Sequence, residues 1–167
     1  MSGAPLPRGT VTFLFSDIEG STDLLRRVGD DVFAAIRGGH RQLLRDAFAA
    51  HGGREIDTAG DGFFIAFESA RSAVAAAVSA QLALARSTWP AGAQVRVRMG
   101  LHTAEPHLAE DGYVGIGVHR AARICDAAHG GQILVSNATA GIIEDAESTG
   151  VDLLDLGEHR LKGLPRE

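Results

Sequence analysis

FSDIEGSTDLL spans Phe15 to Leu25 and DTAGDGFFIAF spans Asp57 to Phe67. In the first stretch an acid ends an apolar run and is followed by a glycine and a helix-start signal. In the second an acid sits in a tight turn between two apolar runs. The residues just before, Thr10 to Phe15 (TVTFLF), are β-branched and aromatic, which predicts a buried strand. Ser21 or Thr22 is placed to cap a helix, with Asp23 near its positive end. Residues 54–59 and 63–67 read as two strands joined through Gly60-Asp61-Gly62, and Asp-Gly is a strong hairpin signal. If the first strand lies between this hairpin and another strand, the carboxylates of Asp17 and Asp61 emerge at the same sheet edge. Taken singly, each acid reads as a turn or capping residue. Taken together they repel unless a cation lies between them. Two hard oxygen ligands with several open positions suit Mg²⁺ or Mn²⁺ carrying substrate phosphates. Gly20 and the helix start at Ser21 and Thr22 would expose backbone N–H groups to those phosphates.

Working outward, a helical pattern runs from Leu24 to about Ala50, with breaks expected near Gly29 and Gly38-Gly39, and His51-Gly52-Gly53 ends it. Residues 69–87 form an alanine-rich helix. VRVRMGLHT (95–103) alternates like a half-buried strand. Residues 115–128 should be a helix, 132–136 a strand and 137–143 a short helix. Residues 151–157 and 158–161 read as a final strand pair. The expected order is β-α-β-β-α-β followed by further helices and strands. That is an α+β chain with a ferredoxin-like βαββαβ core and C-terminal additions.

A length of 167 residues suits one domain with a full core. The chain is 45% hydrophobic but only 5% aromatic, so the core should be aliphatic and alanine-rich. Sixteen basic and 21 acidic residues give a formal charge of −5 with no basic run, which argues against nucleic-acid or membrane-surface binding. The single cysteine, Cys125, cannot form an internal disulfide and reads as a small buried hydrophobe. No run reaches membrane-span length and no signal-peptide pattern opens the chain, so a cytoplasmic protein is expected. Residues 1–9 read as a flexible lead-in and 10–167 as one folded domain. HRLKGLPRE stops directly after an expected strand, which suggests a domain cut from a longer protein.

At this point the sequence resembles the class III nucleotidyl cyclases, in their bacterial form. TFLFSDIEGST is similar to their metal-binding strand and loop, and DTAGDGFFIAF to their hairpin. MGLHT, GYVGIGVHRAARICDAAHGGQILVS and LGEHRLKGL are similar to the remaining blocks, in the right order, so the resemblance covers residues 9–165. It implies a homodimer with shared active sites that converts a purine nucleoside triphosphate to a 3′,5′-cyclic monophosphate and pyrophosphate with two divalent metals (Mg²⁺ or Mn²⁺). Carried over residue by residue, Asp17 and Asp61 match the metal acids, and Ile18 the position whose carbonyl also touches metal. Arg123 matches the arginine that steadies the α-phosphate, a task suited to a permanently charged fork of donors. Lys162 matches a lysine on the terminal phosphates. By the family's geometry one subunit supplies Asp17, Ile18 and Asp61, and the other supplies Arg123, Lys162 and the base-reading residues.

Three positions depart from the adenylyl pattern. Asp57 stands where adenylyl cyclases carry lysine and guanylyl cyclases glutamate. Gly112 stands where an adenine-reading aspartate is usual, with Asp111 beside it. His119 stands where asparagine orients the ribose. An ionised Asp57 only accepts hydrogen bonds, so it suits guanine N1–H and N2 amine better than adenine N1. These departures also fit a second reading, a degenerate domain that binds nucleotide or dimerises to regulate an attached domain. A palm of the diguanylate-cyclase kind is disfavoured because the turn reads AGDGF rather than GGDEF. No zinc spacing, P-loop or Gly-x-Ser-x-Gly elbow is present.

Overall fold

The computed structural model describes residues 4–145 and 150–164. Its centre is β1 (Val11–Ile18), in which both faces are buried. Val11 and Phe13 face one side with Ala66 and Ala121, while Leu14 and Ile18 join the larger cluster on the other. A strand covered on both faces needs a nearly continuous apolar run, which VTFLF supplies.

After β1 come α1 (Ser21–Val28) and α2 (Asp30–Ala50), the hairpin β2 (Arg54–Ala59) and β3 (Gly62–Phe67), α3 (Ala70–Arg86) and β4 (Val97–Ala104). A small hairpin of β5 (His107–Ala109) and β6 (Gly112–Val114) leads to α4 (Ile116–Ala127), β7 (Ile133–Val135) and α5 (Asn137–Glu144). The main sheet has the order β2-β3-β1-β4-β7. β1 pairs antiparallel with β3 and β4, and β7 is parallel to β4. The first four strands of this order are the ferredoxin-like arrangement the sequence predicted. α2 and α3 cover one face through Ile36, Leu44, Phe48 and the alanines Ala73, Ala76, Ala77 and Ala80. α3 is capped by Ser69, whose Oγ accepts the Ser72 N–H at 3.2 Å.

α4 covers part of the other face. It lies so close to β4 that a Cβ on Gly100 would stand 2.2 Å from the Cys125 backbone nitrogen. Glycine is the residue that permits this approach.

Several expectations are corrected. The helical segment breaks at Gly29, which has φ +84, but runs unbroken through Gly38-Gly39, because the face of α2 on both sides of them is buried in the core through Ile36, His40 and Leu44. Gly20, not Ser21 or Thr22, is the N-cap of α1, and no side chain caps it. The final strand pair does not form among the described residues. Val151 and Leu153 pack on the core edge, while Leu154 is 83% exposed and no neighbouring strand offers it a ladder. Lys162 accordingly lies in an exposed turn rather than on a strand. The lead-in is not loose at Pro7, which is buried and whose carbonyl accepts the Tyr113 hydroxyl at 2.7 Å. The β5–β6 hairpin was not anticipated, although Asp111-Gly112 carries the same Asp-Gly signal as the larger one. Among the described residues no helix is long and apolar enough to cross a membrane.

Two glycine substitutions should act in opposite directions. Gly100→Ala should lower stability by about 3 kcal/mol or more, because the obstacle is backbone. Gly38→Ala, in open space within α2, should raise it by up to about 1 kcal/mol. Urea denaturation of both variants measures the contrast, and a neutral Gly100→Ala would contradict the close packing of α4.

Candidate functional site

β1 ends by placing Asp17 opposite Arg98 of β4. Arg98 grips both oxygens of Asp17: Nε donates to Oδ1, and Nη2 to Oδ2 at 3.1 Å. Both side chains are 28% exposed. That carboxylate bond holds the Arg98 pKa above the ordinary guanidinium value, with burial opposing. The β2–β3 turn folds back on the same strand end, where Asp61 Oδ2 accepts the Ile18 N–H at 2.7 Å. Gly60 makes this turn possible with φ +59.

A cavity of about 300 Å³ opens here, lined by both acids, Ile18, the Gly20-Ser21-Thr22 turn, Asp23 and Arg98. Gly20 is left-handed at φ +63, and the first-turn N–H groups of α1 have no side-chain acceptor. The donors are hard oxygens, two carboxylates and the Ile18 carbonyl, and a guanidinium already balances Asp17. They fit a divalent cation. Among the described residues no group of three or more His, Cys, Asp or Glu could hold a metal. Further coordination would therefore come from backbone, water or substrate phosphates.

α2 holds the Asp61 hairpin from behind. Arg41 donates to the Gly60 carbonyl. Arg45 bonds both Glu55 oxygens at 2.8 Å and stands 5.5 Å over the Phe63 ring. His40 is fully buried beside Phe63, ring centroids 5.9 Å apart, and neither of its ring nitrogens has a hydrogen-bond partner. Burial pushes its pKa down from 6.5 to about 4, with the Asp61 charge opposing. The Arg41 charge also lowers it, and the Arg37 backbone opposes.

The other sequence-derived residues lie outside this cavity. His119 and Arg123 are one turn apart on α4, both exposed, and Arg123 Nη1 donates to Asp126 Oδ2 at 3.1 Å. An exposed ion pair of this kind contributes about 0–1 kcal/mol. Asp57 sits on β2 opposite Phe64, exposed, and its Oδ1 accepts the Thr58 N–H at 2.8 Å. Gly112 opens β6 with φ +126. Lys162 is exposed in its turn. Sequence reasoning missed Arg98 and Asp126. The alternation in VRVRMGLHT signals a strand, but only the β1–β4 register shows that Arg98 meets Asp17.

Residues 5–167 match the family described as Adenylate and Guanylate cyclase catalytic domain. The chain is 39% identical over 163 residues to an uncharacterized protein of Mycobacterium tuberculosis, covering 96% of this chain and 54% of that one. It thus spans about half the length of this relative. It is 30% identical over 215 residues to an adenylate cyclase of Podospora anserina, covering 96% of this chain and 10% of that protein. A solved adenylate cyclase of Trypanosoma brucei, described in its monomeric state, superposes with a TM-score of 0.86 at 28% identity, covering 99% of this chain and 90% of that one. The adenylyl cyclase CyaB from P. aeruginosa superposes at 0.75 with 23% identity, covering 95% and 90%, a likeness of fold.

Because His40 is neutral when folded and protonates more readily when unfolded, acid should destabilise the protein. Stability is unaffected by this group above its unfolded pKa of 6.5 and falls as pH drops toward about 4. The full loss is about 3 kcal/mol. His40→Leu should flatten this part of the stability–pH profile and cost little at pH 8, since no hydrogen bond is lost. An unchanged acid slope in urea titrations would contradict the burial of a neutral imidazole.

Proposed function

The chain belongs to the adenylate and guanylate cyclase catalytic-domain family, and we propose that it is a nucleotidyl cyclase that forms a 3′,5′-cyclic monophosphate and pyrophosphate from a purine nucleoside triphosphate. The observation that carries this reading is the convergence of Asp17 and Asp61 around Ile18 in one polar cavity beside the start of α1. Asp17, Asp61 and the Ile18 carbonyl would hold two divalent ions, Mg²⁺ or Mn²⁺. When bound, such ions lower the pKa of a ribose 3′-hydroxyl and hold a triphosphate.

The remaining steps use the chain's own groups. Gly20, Ser21 and Thr22 offer backbone N–H groups to the phosphates. The 3′-hydroxyl gives its proton to solvent, its oxygen attacks the α-phosphorus in line, and the bond from that phosphorus to pyrophosphate breaks, releasing pyrophosphate. Arg123 stabilises the charge that spreads over the α-phosphate, and Lys162 binds the terminal phosphates. His119 donates to the ribose. Arg123, His119 and Lys162 lie outside the acid cavity, which supports a site completed by a second copy of the chain. Asp57 and Gly112 would meet the base. An acceptor-only carboxylate with no second acid opposite favours guanine, by about 1–3 kcal/mol per satisfied hydrogen bond.

A second reading, a regulatory nucleotide-binding domain, is favoured by one observation. Asp57 already uses an oxygen on its own chain neighbour, Thr58.

Purified protein with Mn²⁺ and either ATP or GTP, assayed chromatographically, should yield cyclic nucleotide and pyrophosphate. Asp17→Asn and Asp61→Asn should each remove the activity, and undiminished turnover in either would sink the metal-site reading. Nucleotide binding that requires Mn²⁺ but yields no product would instead establish the regulatory reading. Asp57→Lys combined with Gly112→Asp should move the ATP/GTP ratio of kcat/KM toward ATP by at least about tenfold, and a fixed ratio would refute the base-pocket assignment. Specific activity should rise with protein concentration in the micromolar range until a dimer saturates.

A further inference from the structure

Two carboxylates and two guanidiniums alternate along one surface in the order Asp17, Arg98, Asp126, Arg123. Arg98 lies between two acids. Its Nε and Nη2 hold Asp17, its Nη1 donates to the Asp126 carbonyl at 3.0 Å, and its Nη2 stands 4.0 Å from Asp126 Oδ1. The other oxygen of Asp126, Oδ2, is taken by Arg123 at 3.1 Å. Asp126 sits in the last turn of α4, and α4 is pressed against β4 at Gly100. The separation of Asp126 from Arg98 is therefore fixed by packed elements rather than by a loop.

The geometry points to an ion-pair relay: when a divalent cation takes the oxygens of Asp17, Arg98 swings onto the Asp126 carboxylate, and Asp126 loosens its hold on Arg123. The relay rests on the reading of Asp17 as a metal ligand. A cation needs the oxygens that the Arg98 fork occupies. An arginine displaced from a partly buried pair needs another acceptor, since an unpaired charge there is costly. Asp126 Oδ1 is the acceptor within reach, and the bond from Nη1 to the Asp126 carbonyl serves as the pivot. Once two guanidiniums share one carboxylate, each is held less firmly. Arg123, the more exposed of the two, gives way to water or to a phosphate. Filling the acid cavity and freeing Arg123 are thus one linked equilibrium, and linkage acts equally in both directions. Asp126 is a positioning residue in this scheme, since it acts through the two arginines.

The test is Mn²⁺ affinity of the nucleotide-free protein, read from the EPR signal of free Mn²⁺ at 0.15 M salt. Wild type, Arg98→Gln, Asp126→Asn and the double variant form a cycle, with Asp17→Asn as reference. Arg98→Gln should tighten Mn²⁺ binding. Asp126→Asn, which keeps the backbone carbonyl, should weaken it by about two- to fivefold, the size expected of partly exposed pairs. In the Arg98→Gln background the same Asp126→Asn change should have an effect below about 1.5-fold, because there is no arginine left to receive. An equal effect in both backgrounds, or none in either, overturns the relay. If Asp17→Asn leaves Mn²⁺ affinity unchanged, the metal reading itself falls. NMR of the arginine Nε–H groups gives a second readout. Mg²⁺ should shift the Arg123 signal in wild type and not in Asp126→Asn, and a shift of equal size in both also overturns the relay.

Discussion

β1 is hydrogen-bonded on both sides, to β3 from Thr12 to Ser16 and to β4 from Val11 to Ile18. That double pairing sets everything at the strand's far end. It fixes Asp17 across from Arg98. It also brings the hairpin tip to where Asp61 meets the Ile18 N–H. A one-residue slip would turn every side chain of β1 to the opposite face. Slippage is opposed from both sides, because Phe13 and Leu14 are each fully buried in different clusters.

The second half of the candidate machinery depends on a different contact. α4 carries His119, Arg123 and Asp126, and its seat on β4 exists because residue 100 lacks a side chain. The charged groups of the two halves are linked through Arg98, which is rooted in β4, grips the end of β1 and touches the end of α4. Asp17, Arg98, Asp126 and Arg123 are paired with one another, while Ala121, Ile124 and Cys125 of α4 are buried. The hairpin bearing Asp61 follows the same rule from behind, where Arg41 and Arg45 supply polar contacts and Phe63 and His40 fill the core.

Much of this was legible in the sequence because it rests on local patterns. TVTFLF followed by Asp-Ile-Glu-Gly-Ser-Thr announces a strand, a turn and a helix. Gly60-Asp61-Gly62 announces a hairpin, and the spacing of the remaining segments announces a ferredoxin-like order. The acid cavity followed from those two turns. What was not legible depends on pairing partners. VDLLDL has the composition of a strand but joins no ladder among the described residues, and Leu154 is left in solvent. Gly38-Gly39 has the composition of a break, yet the helix continues because its face is buried on either side of them, at Ile36, His40 and Leu44. Arg98 and Asp126 are ordinary charged residues in sequence, and 28 positions separate Arg98 from its second acid. Only register and helix docking reveal that they meet.

The grip of Arg98 on Asp17 also bears on how the chain comes to maturity. Small metal domains whose ligands repel one another, or must first lose protons, fold only when the ion arrives, so their synthesis is tied to metal supply. Here the strand that zips against β1 brings its own positive charge to the acid opposite. The β1–β4 ladder can therefore close, and the core behind it can consolidate, before any ion is met. On the proposed reading of Asp17 as a metal ligand, folding and metal delivery are separate events in time, and a chelator would leave the architecture intact.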